Sequence, residues 1–415
     1  MMRCRITILI VLVFVLIFLT SCDETVNHGN PYKWVKQPEV EWNYLIYMGA
    51  DNNLERFAIK NIEALQQVGT NKNANILVLF DRSPGYDKTN DNWSGTKLLR
   101  ITENQSTINE AVIKDYDELD MTDSDNLYDF LCLVNDFFPA RHTVLDLWGH
   151  GYGLYPDGTI PISKGIIADY TTGVSKADTM SVYDFANAIK RYETDKLAYI
   201  DIIQFDTCLM QSMETCYQLR ELTDYVVGSE TEIPGSGSDY KAIADYLYSN
   251  PAISAGDFAK FLVNSFYELE KISATPFSMS AVQTSQINPF MEKFKIICDS
   301  VLSKMQTSAT DVLTTRENMT KIDTGYIEYA DLYEVLNDCY LLGIDSSAAI
   351  SAFERMVISS VYSGVSLNKT KGLSINFPYT SELGSYYFKA EEKYKYLDFY
   401  KDCNWNVVLS NICKL

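Results

Sequence analysis

Residues 143–153 read TVLDLWGHGYG. The run is mostly apolar through Trp148 and then breaks into glycines around His150. A short apolar run closed by a glycine turn predicts a buried strand. The chain has only three histidines, His28, His142 and His150. One of them stands directly after this strand. A turn residue would account for it, and so would a catalytic base held at a strand end.

The flanking sequence repeats the pattern. Apolar runs over 44–51, 74–81, 199–208 and 224–230 predict further strands. Helical spacing separates them over 53–69, 126–139, 180–192 and 209–222. Short apolar strands alternating with helices predict an α/β fold, with a mostly parallel sheet covered on both faces. Residues 96–103 follow a polar, turn-rich stretch and predict a hairpin inserted between the second and third main strands. After about Pro251 the pattern is less regular, with helical stretches and strand-like segments at 277–284 and 371–380. The expected organisation is a leader over 1–21, a tether over 22–41, a catalytic domain over 42–250 and a C-terminal α+β extension over 251–415. That extension either completes the sheet or packs on it.

The leader is read from MMRCRITILIVLVFVLIFLTSC. Arg3 and Arg5 precede an apolar run of about fourteen residues, shorter than the ~20 a spanning helix needs. Its end, LTSC, is similar to a bacterial lipoprotein box, which implies cleavage before Cys22 and acylation of its thiol. The mature protein is then expected in the cell envelope, exported and held to the membrane by lipid on Cys22. Seven cysteines remain after Cys4 and Cys22, with no paired spacing that suggests zinc, so no metal site is expected. The net charge is −20, and losing the two leader arginines makes it about −22. With no basic tract, nucleic acid is not an expected partner.

In open parallel sheets, functional groups collect at the carboxyl ends of strands. One end carries His150, the next Asp206 and Cys208, and the next Glu230, Glu232 and Asp239. A thiol is a nucleophile as thiolate, and a histidine beside it can take the proton and later protonate a leaving amine. Cys208 also stands where the helix over 209–222 is expected to open, so its N-terminal N–H groups would favour the anion. Cys216 lies eight positions on, within the same helical stretch. Gly151 permits close backbone approach and offers an oxyanion donor, as does the N–H of Cys208.

LDLWGHGYG and IIQFDTCLMQSMETCYQL resemble the clostripain family of cysteine peptidases, within the caspase-like clan. YLIYMGADNNLE, GSETEIPGSGSDY and KGLSINFP resemble segments of the same family. The resemblance implies a caspase-like α/β/α sandwich, with His150 and Cys208 as a catalytic dyad. It also implies cleavage of peptides and proteins after Arg or Lys through an acyl-enzyme. Asp206 points to the same side of its strand as Cys208 and suits a basic side chain. Glu230, Glu232 and Asp239 are secondary candidates for substrate binding. Family members often mature by cutting themselves between the histidine and cysteine strands, where Lys164 and Lys176 stand. Several are calcium-stimulated. No cofactor is expected to be required, and calcium is left open, since acidic loops abound without an EF-hand pattern. A monomer is expected. Two departures stand out: Thr207 replaces a smaller residue before the cysteine, and Ser238 stands where an aromatic is usual. Trp148 and Tyr152 flank the histidine turn and could narrow access to it. The alternatives are a catalytically silent cell-surface binding lipoprotein and, from the same dyad, transpeptidation.

Overall fold

The computed structural model describes residues 34–69, 72–154, 165–170, 178–323, 328–377 and 396–412. The leader, Cys22, Lys164 and Lys176 lie outside these residues. No helix among them is long and apolar enough to cross a membrane.

The parallel centre of the sheet forms from the runs with the densest apolar sequence. In chain order the first half comprises β1 (Val40–Ala50), α1 (Glu55–Val68), β2 (Ala74–Arg82), β3 (Gly95–Ile101), β4 (Val112–Asp115), α2 (Ser124–Phe137) and β5 (Ala140–Trp148). A small antiparallel pair follows, β6 (Ile166–Asp169) and β7 (Asp178–Met180), and then α3 (Val182–Lys196). The second half begins with β8 (Ile200–Asp206), α4 (Met213–Leu219), β9 (Thr223–Gly228), α5 (Tyr240–Ser249), α6 (Ala255–Glu270) and β10 (Phe277–Gln283). It continues with α7 (Ile287–Glu317), β11 (Ile322–Asp323), β12 (Glu328–Asp331), α8 (Leu332–Asp338), α9 (Ser347–Met356), β13 (Val357–Ser363) and β14 (Ser374–Asn376). Two short helices, Asp398–Asp402 and Trp405–Ile412, close the described chain.

Nine strands form the main sheet, in the order β13-β10-β9-β8-β5-β1-β2-β3-β4. Strands β9, β8, β5, β1 and β2 run parallel. Antiparallel pairs finish both edges, β2–β3–β4 on one side and β9–β10–β13 on the other. The inserted hairpin is therefore β3 and β4, and the chain after Pro251 adds β10 and β13 to the same sheet.

Alternation along the strands divides the core between two faces. Leu45, Tyr47, Leu77, Leu145 and Ile203 face α2, α3, α4 and α7. Tyr44, Ile46, Ile76, Val144 and Ile202 face α1, α5 and α6. The architecture is an α/β/α sandwich with the parallel strand ends gathered on one edge.

Candidate active site

Strand β5 ends at Trp148, and Gly149 turns the chain with φ +146°. A side chain at Gly149 would come within 2.8 Å of the Gly49 carbonyl, so the turn needs glycine there. His150 emerges half-buried from this turn. Its Nε2 lies 2.7 Å from Asn53 Oδ1. The amide oxygen can only accept, so Nε2 carries the ring proton and Nδ1 keeps its lone pair. Tyr152 and Tyr170 stack on the ring at centroid distances of 5.7 and 6.4 Å. Burial holds the imidazole below its ordinary pKa. Of the other histidines, His142 is bound to Asp201 at 2.7 Å and stacked on Trp42, and His28 lies outside the described residues.

Cys208 follows β8 by two residues. Leu209 then takes the left-handed conformation, with φ +65°, and reverses the chain. Bonds from Leu209 N–H to Thr231 O and from Gln211 N–H to Ser229 O, at 3.0 and 2.9 Å, fix this turn to the segment after β9. The thiol accepts the Ile233 N–H at 3.3 Å. Although part of the side chain is open to solvent, its dense surroundings push the thiol up to about 11. Desolvation is the main cause, the charges of Glu232 and Asp206 add to it, and the Ile233 N–H opposes it.

The expected helix N-terminus at Cys208 is corrected by this turn. Helix α4 begins only at Met213, with Ser212 as its cap and Ser212 Oγ accepting Thr215 N–H. Cys208 and Cys216 therefore do not share a helical face, and Cys216 is a buried core residue. All six described cysteines are free.

The histidine turn and the cysteine turn are in direct contact. A Cβ built on Gly151 would lie 2.2 Å from the Cys208 carbonyl oxygen, 2.9 Å from its nitrogen and 2.8 Å from Thr207 Cβ. Glycine is required by this approach, and Thr207 fills the space behind it. Tyr152 N–H, rather than Gly151 N–H, donates to Gly165 O at 3.0 Å. The N–H groups of Gly151 and Cys208 take no protein partner among the described residues.

The four candidate carboxylates separate. Asp206 is buried, and its Oδ2 accepts Ser238 N–H and the Tyr240 hydroxyl, each at 2.8 Å. Its Oδ1 has no partner among the described residues. Burial is the first cause holding this carboxyl up at about 6. Glu232 is exposed and close enough to act on the Cys208 thiol. Glu230 is corrected: it is fully buried, accepts Gly372 N–H at 3.0 Å and neighbours Asp331, away from any opening. Asp239 is also corrected. It caps α5 through Ala242 N–H at 3.0 Å. Ser238 is buried and bonds Gln204, so it supports Asp206 from behind.

The sequence reading missed Asn53, though the polar run Asp51–Asn52–Asn53 closes β1 on the same edge as His150. It also missed the tyrosines behind Asp206, Tyr240 and Tyr44, which look like core aromatics in sequence. Trp148 is buried beneath Gly237, whose added Cβ would meet its Nε1 at 2.9 Å. That tryptophan therefore packs, while Tyr152 supports the histidine. A third group of carboxylates, Asp51, Asp81 and Glu118, converges nearby with oxygens within 4.8 Å of one another.

A model of the clostripain family, peptidase family C11, matches residues 46–411. Clostripain of Hathewaya histolytica is 27% identical over 220 residues, which span 49% of this chain and 41% of that protein. This chain thus aligns with less than half the length of that relative. The fold is similar to a secreted C11 cysteine protease from Bacteroides thetaiotaomicron, solved with an irreversible peptide inhibitor. That match has a TM-score of 0.65 at 22% identity and covers 88% of this chain and 99% of the other. It is also similar to an inactive zymogen C11 protease from Parabacteroides distasonis, with a TM-score of 0.64 at 21% identity, covering 89% and 99%. With the family match spanning most of the sequence, the chain belongs to the clostripain family.

Proposed function

We propose that this protein is a cysteine endopeptidase that cleaves after arginine or lysine, with Cys208 as nucleophile and His150 as general base and acid. The observation that carries the reading is the contact of Gly151 with the backbone of Cys208. It joins two strand ends whose chemistries complement each other, and the N–H groups of Gly151 and Cys208, unpartnered among the described residues, would serve as the oxyanion donors.

The resting pair is neutral, since the thiol is held up and the imidazole down. Attack of Sγ on the substrate carbonyl carbon forms the C–S bond as the thiol proton passes to Nδ1 of His150. The carbonyl oxygen becomes an oxyanion, met by the N–H groups of Gly151 and Cys208. Collapse breaks the C–N bond, and the imidazolium protonates the leaving amine. Water then gives a proton to the same ring, attacks the thioester and releases the acid, and the thiolate recovers its proton.

Asp206 Oδ1 is a buried acceptor without a partner among the described residues. An arginyl or lysyl side chain of the substrate would satisfy it. That positive charge would also offset Asp206 and Glu232, which help to hold the thiol up. A basic substrate thus lowers the barrier to its own attack.

The test is hydrolysis of arginyl and lysyl peptide amides by the protein and by Cys208→Ala. Loss of turnover, with loss of labelling by a thiol-reactive arginyl peptide, is expected. Undiminished turnover in the variant would end the proposal. No turnover and no labelling of the unaltered protein in any form would favour a silent binding lipoprotein. Amide formation with an added amine acceptor would reveal transpeptidation. The same proposal includes export, an anchor at Cys22 and maturation by a cut after Lys164 or Lys176. Full activity from an uncut chain would remove the maturation step.

A further inference from the structure

We propose that Cys298 and Cys403 are joined by a disulfide in the exported protein, and that this bond staples the C-terminal helices to α7. The proposal rests on the export reading above and is independent of the dyad.

The two cysteines come from segments roughly a hundred residues apart. Cys298 lies within α7, and Cys403 caps the short helix Asp398–Asp402, its N–H donating to Phe399 O at 3.2 Å. Both are buried in the same core. Matched contacts bracket the pair. One turn before each cysteine, Phe294 and Phe399 stack at a centroid distance of 6.3 Å. Immediately after each, Asn404 Nδ2 donates to Asp299 Oδ1 at 2.7 Å. The two segments therefore run side by side, with 294 against 399, 298 against 403 and 299 against 404. Between those contacts the thiols of Cys298 and Cys403 hydrogen-bond one another. The Cys403 S–H also donates to Phe399 O at 3.1 Å, which leaves its sulfur to accept from Cys298. The other described thiols are engaged elsewhere. Cys132 bonds Tyr128, Cys208 accepts the Ile233 N–H, Cys339 bonds Val335 O at 3.3 Å and Cys216 packs in the core.

The structure holds both cysteines as thiols. Two sulfurs in contact across separate elements need only side-chain rotation to bond. Oxidation removes two protons and two electrons from the pair, and the acceptor is a disulfide of the thiol oxidoreductase or glutathione class. One cysteine, as thiolate, attacks a sulfur of that donor and displaces its first thiol. The second cysteine then displaces the other thiol and forms the Cys298–Cys403 bond, leaving the donor as a dithiol. Exported proteins meet such oxidants, and cytosolic ones do not. Burial first, and the Cys403 thiol next, hold the Cys298 thiol well above its ordinary value. Exchange through its thiolate is therefore slow once the core has closed. The bond forms as the chain folds and persists afterwards.

The staple acts where the C-terminal helices back the cysteine strand. The Tyr400 hydroxyl donates to Glu214 Oε1 at 3.2 Å, and the Tyr217 hydroxyl donates to Asp402 Oδ2 at 2.7 Å. Trp405 Nε1–H donates to Asn376 O at 2.8 Å. These bonds tie the helices to α4 and β14, and the disulfide would secure them to α7 on the other side.

The experiment uses the full chain carrying Cys208→Ala, expressed in a bacterium and recovered with detergent from the cell envelope. The same chain is also refolded from denaturant in a mixture of reduced and oxidised glutathione. Thiols are alkylated with iodoacetamide in denaturant without reductant, and the digest is read by mass spectrometry. A linked peptide holding Cys298 and Cys403 is expected in most chains of both samples, with Cys132, Cys216 and Cys339 alkylated. Both cysteines alkylated in the two samples, or either one linked to Cys413 instead, would overturn the proposal. The link in the glutathione sample alone would uphold the pairing and count against export. A phosphine reductant should lower the unfolding midpoint of the linked protein by about 5 °C. It should leave the double variant Cys298→Ala/Cys403→Ala unmoved. No shift in the linked protein, or an equal shift in the double variant, would overturn the staple.

Discussion

Asp206 and Asp146 converge on a single hydroxyl: Tyr240 Oη lies 2.8 Å from Oδ2 of each. A phenol has one proton to give, so it serves one carboxylate at a time. Tyr44, 2.9 Å from Asp146 Oδ2, supplies a second. Burial raises both carboxyls, Asp206 to about 6 and Asp146 well above the carboxylate range. Asp206, two residues before Cys208, is therefore poised near neutrality.

A pH dependence follows. On the proposed reading Asp206 attracts a basic side chain only when ionised, so kcat/KM for an arginyl amide should rise with pH through about 6, mostly by a falling KM. The folded pKa lies above the ordinary 3.8, so the folded state binds the extra proton between them. Stability from this group is thus fully present below about 4 and lost as pH rises through about 6. Asp206→Asn should raise KM at least ~10-fold above pH 6 and flatten both profiles. Steady-state kinetics and thermal midpoints from pH 4.5 to 8 check this.

Asn53→Ala should leave KM nearly unchanged and lower kcat about 10- to 100-fold, part of the 10²–10⁴ that a general base contributes. The imidazole would lose the acceptor that keeps its proton on Nε2. Asn53→Asp, which retains an acceptor, should recover part of the loss. Parallel kinetics on the two variants decide between positioning and general disruption.

Gly151→Ala tests the contact between the turns. Its methyl group would sit 2.2 Å from the Cys208 carbonyl oxygen, against backbone that cannot rotate away. Overpacking of this kind costs about 1–3 kcal/mol. A loss of at least ~100-fold in kcat with a lower unfolding midpoint is expected. Active-site titration with a thiol-reactive peptide, beside thermal unfolding, measures both.

Glu230→Gln tests a carboxyl pair remote from the chemistry. Burial and the neighbouring Asp331 hold Glu230 well above its ordinary value, and burial first holds Asp331 up at about 6. Both folded values are raised, so the pair's contribution to stability falls as pH rises past 6. The amide can still accept Gly372 N–H without needing a proton. The variant should be more stable than the parent at pH 8 and similar at pH 5, with turnover unchanged.

The strands that bear the site were legible because buried parallel strands must be apolar along their length. Residues 44–51, 74–81 and 199–206 stand out for that reason. The edge strand β13, VISSVYS, did not, since a half-exposed strand with three serines carries little apolar signal. The turn after Cys208 was hidden because Leu209 in a left-handed conformation has no sequence signature. The helix start at Ser212 was visible in principle, as a hydroxyl cap three residues before Thr215. The strand-end rule gathered Asp206, Glu230, Glu232 and Asp239 on one edge. It could not separate a carboxylate two residues before Cys208 from one that caps α5 or lies in the core, because that depends on which N–H groups the fold brings to each.

The seam between β5 and β8 pairs Val144 through Trp148 with Ile202 through Asp206. To one side of it lie all strands before residue 149, and to the other the remaining strands of the main sheet. A break in the chain between them would leave each portion bound to the other by backbone pairing and by the packing of α2 on α3. One portion carries His150 and the other Cys208, so, on the proposed dyad, two polypeptides made separately and mixed would report their reunion by recovering turnover that neither holds alone.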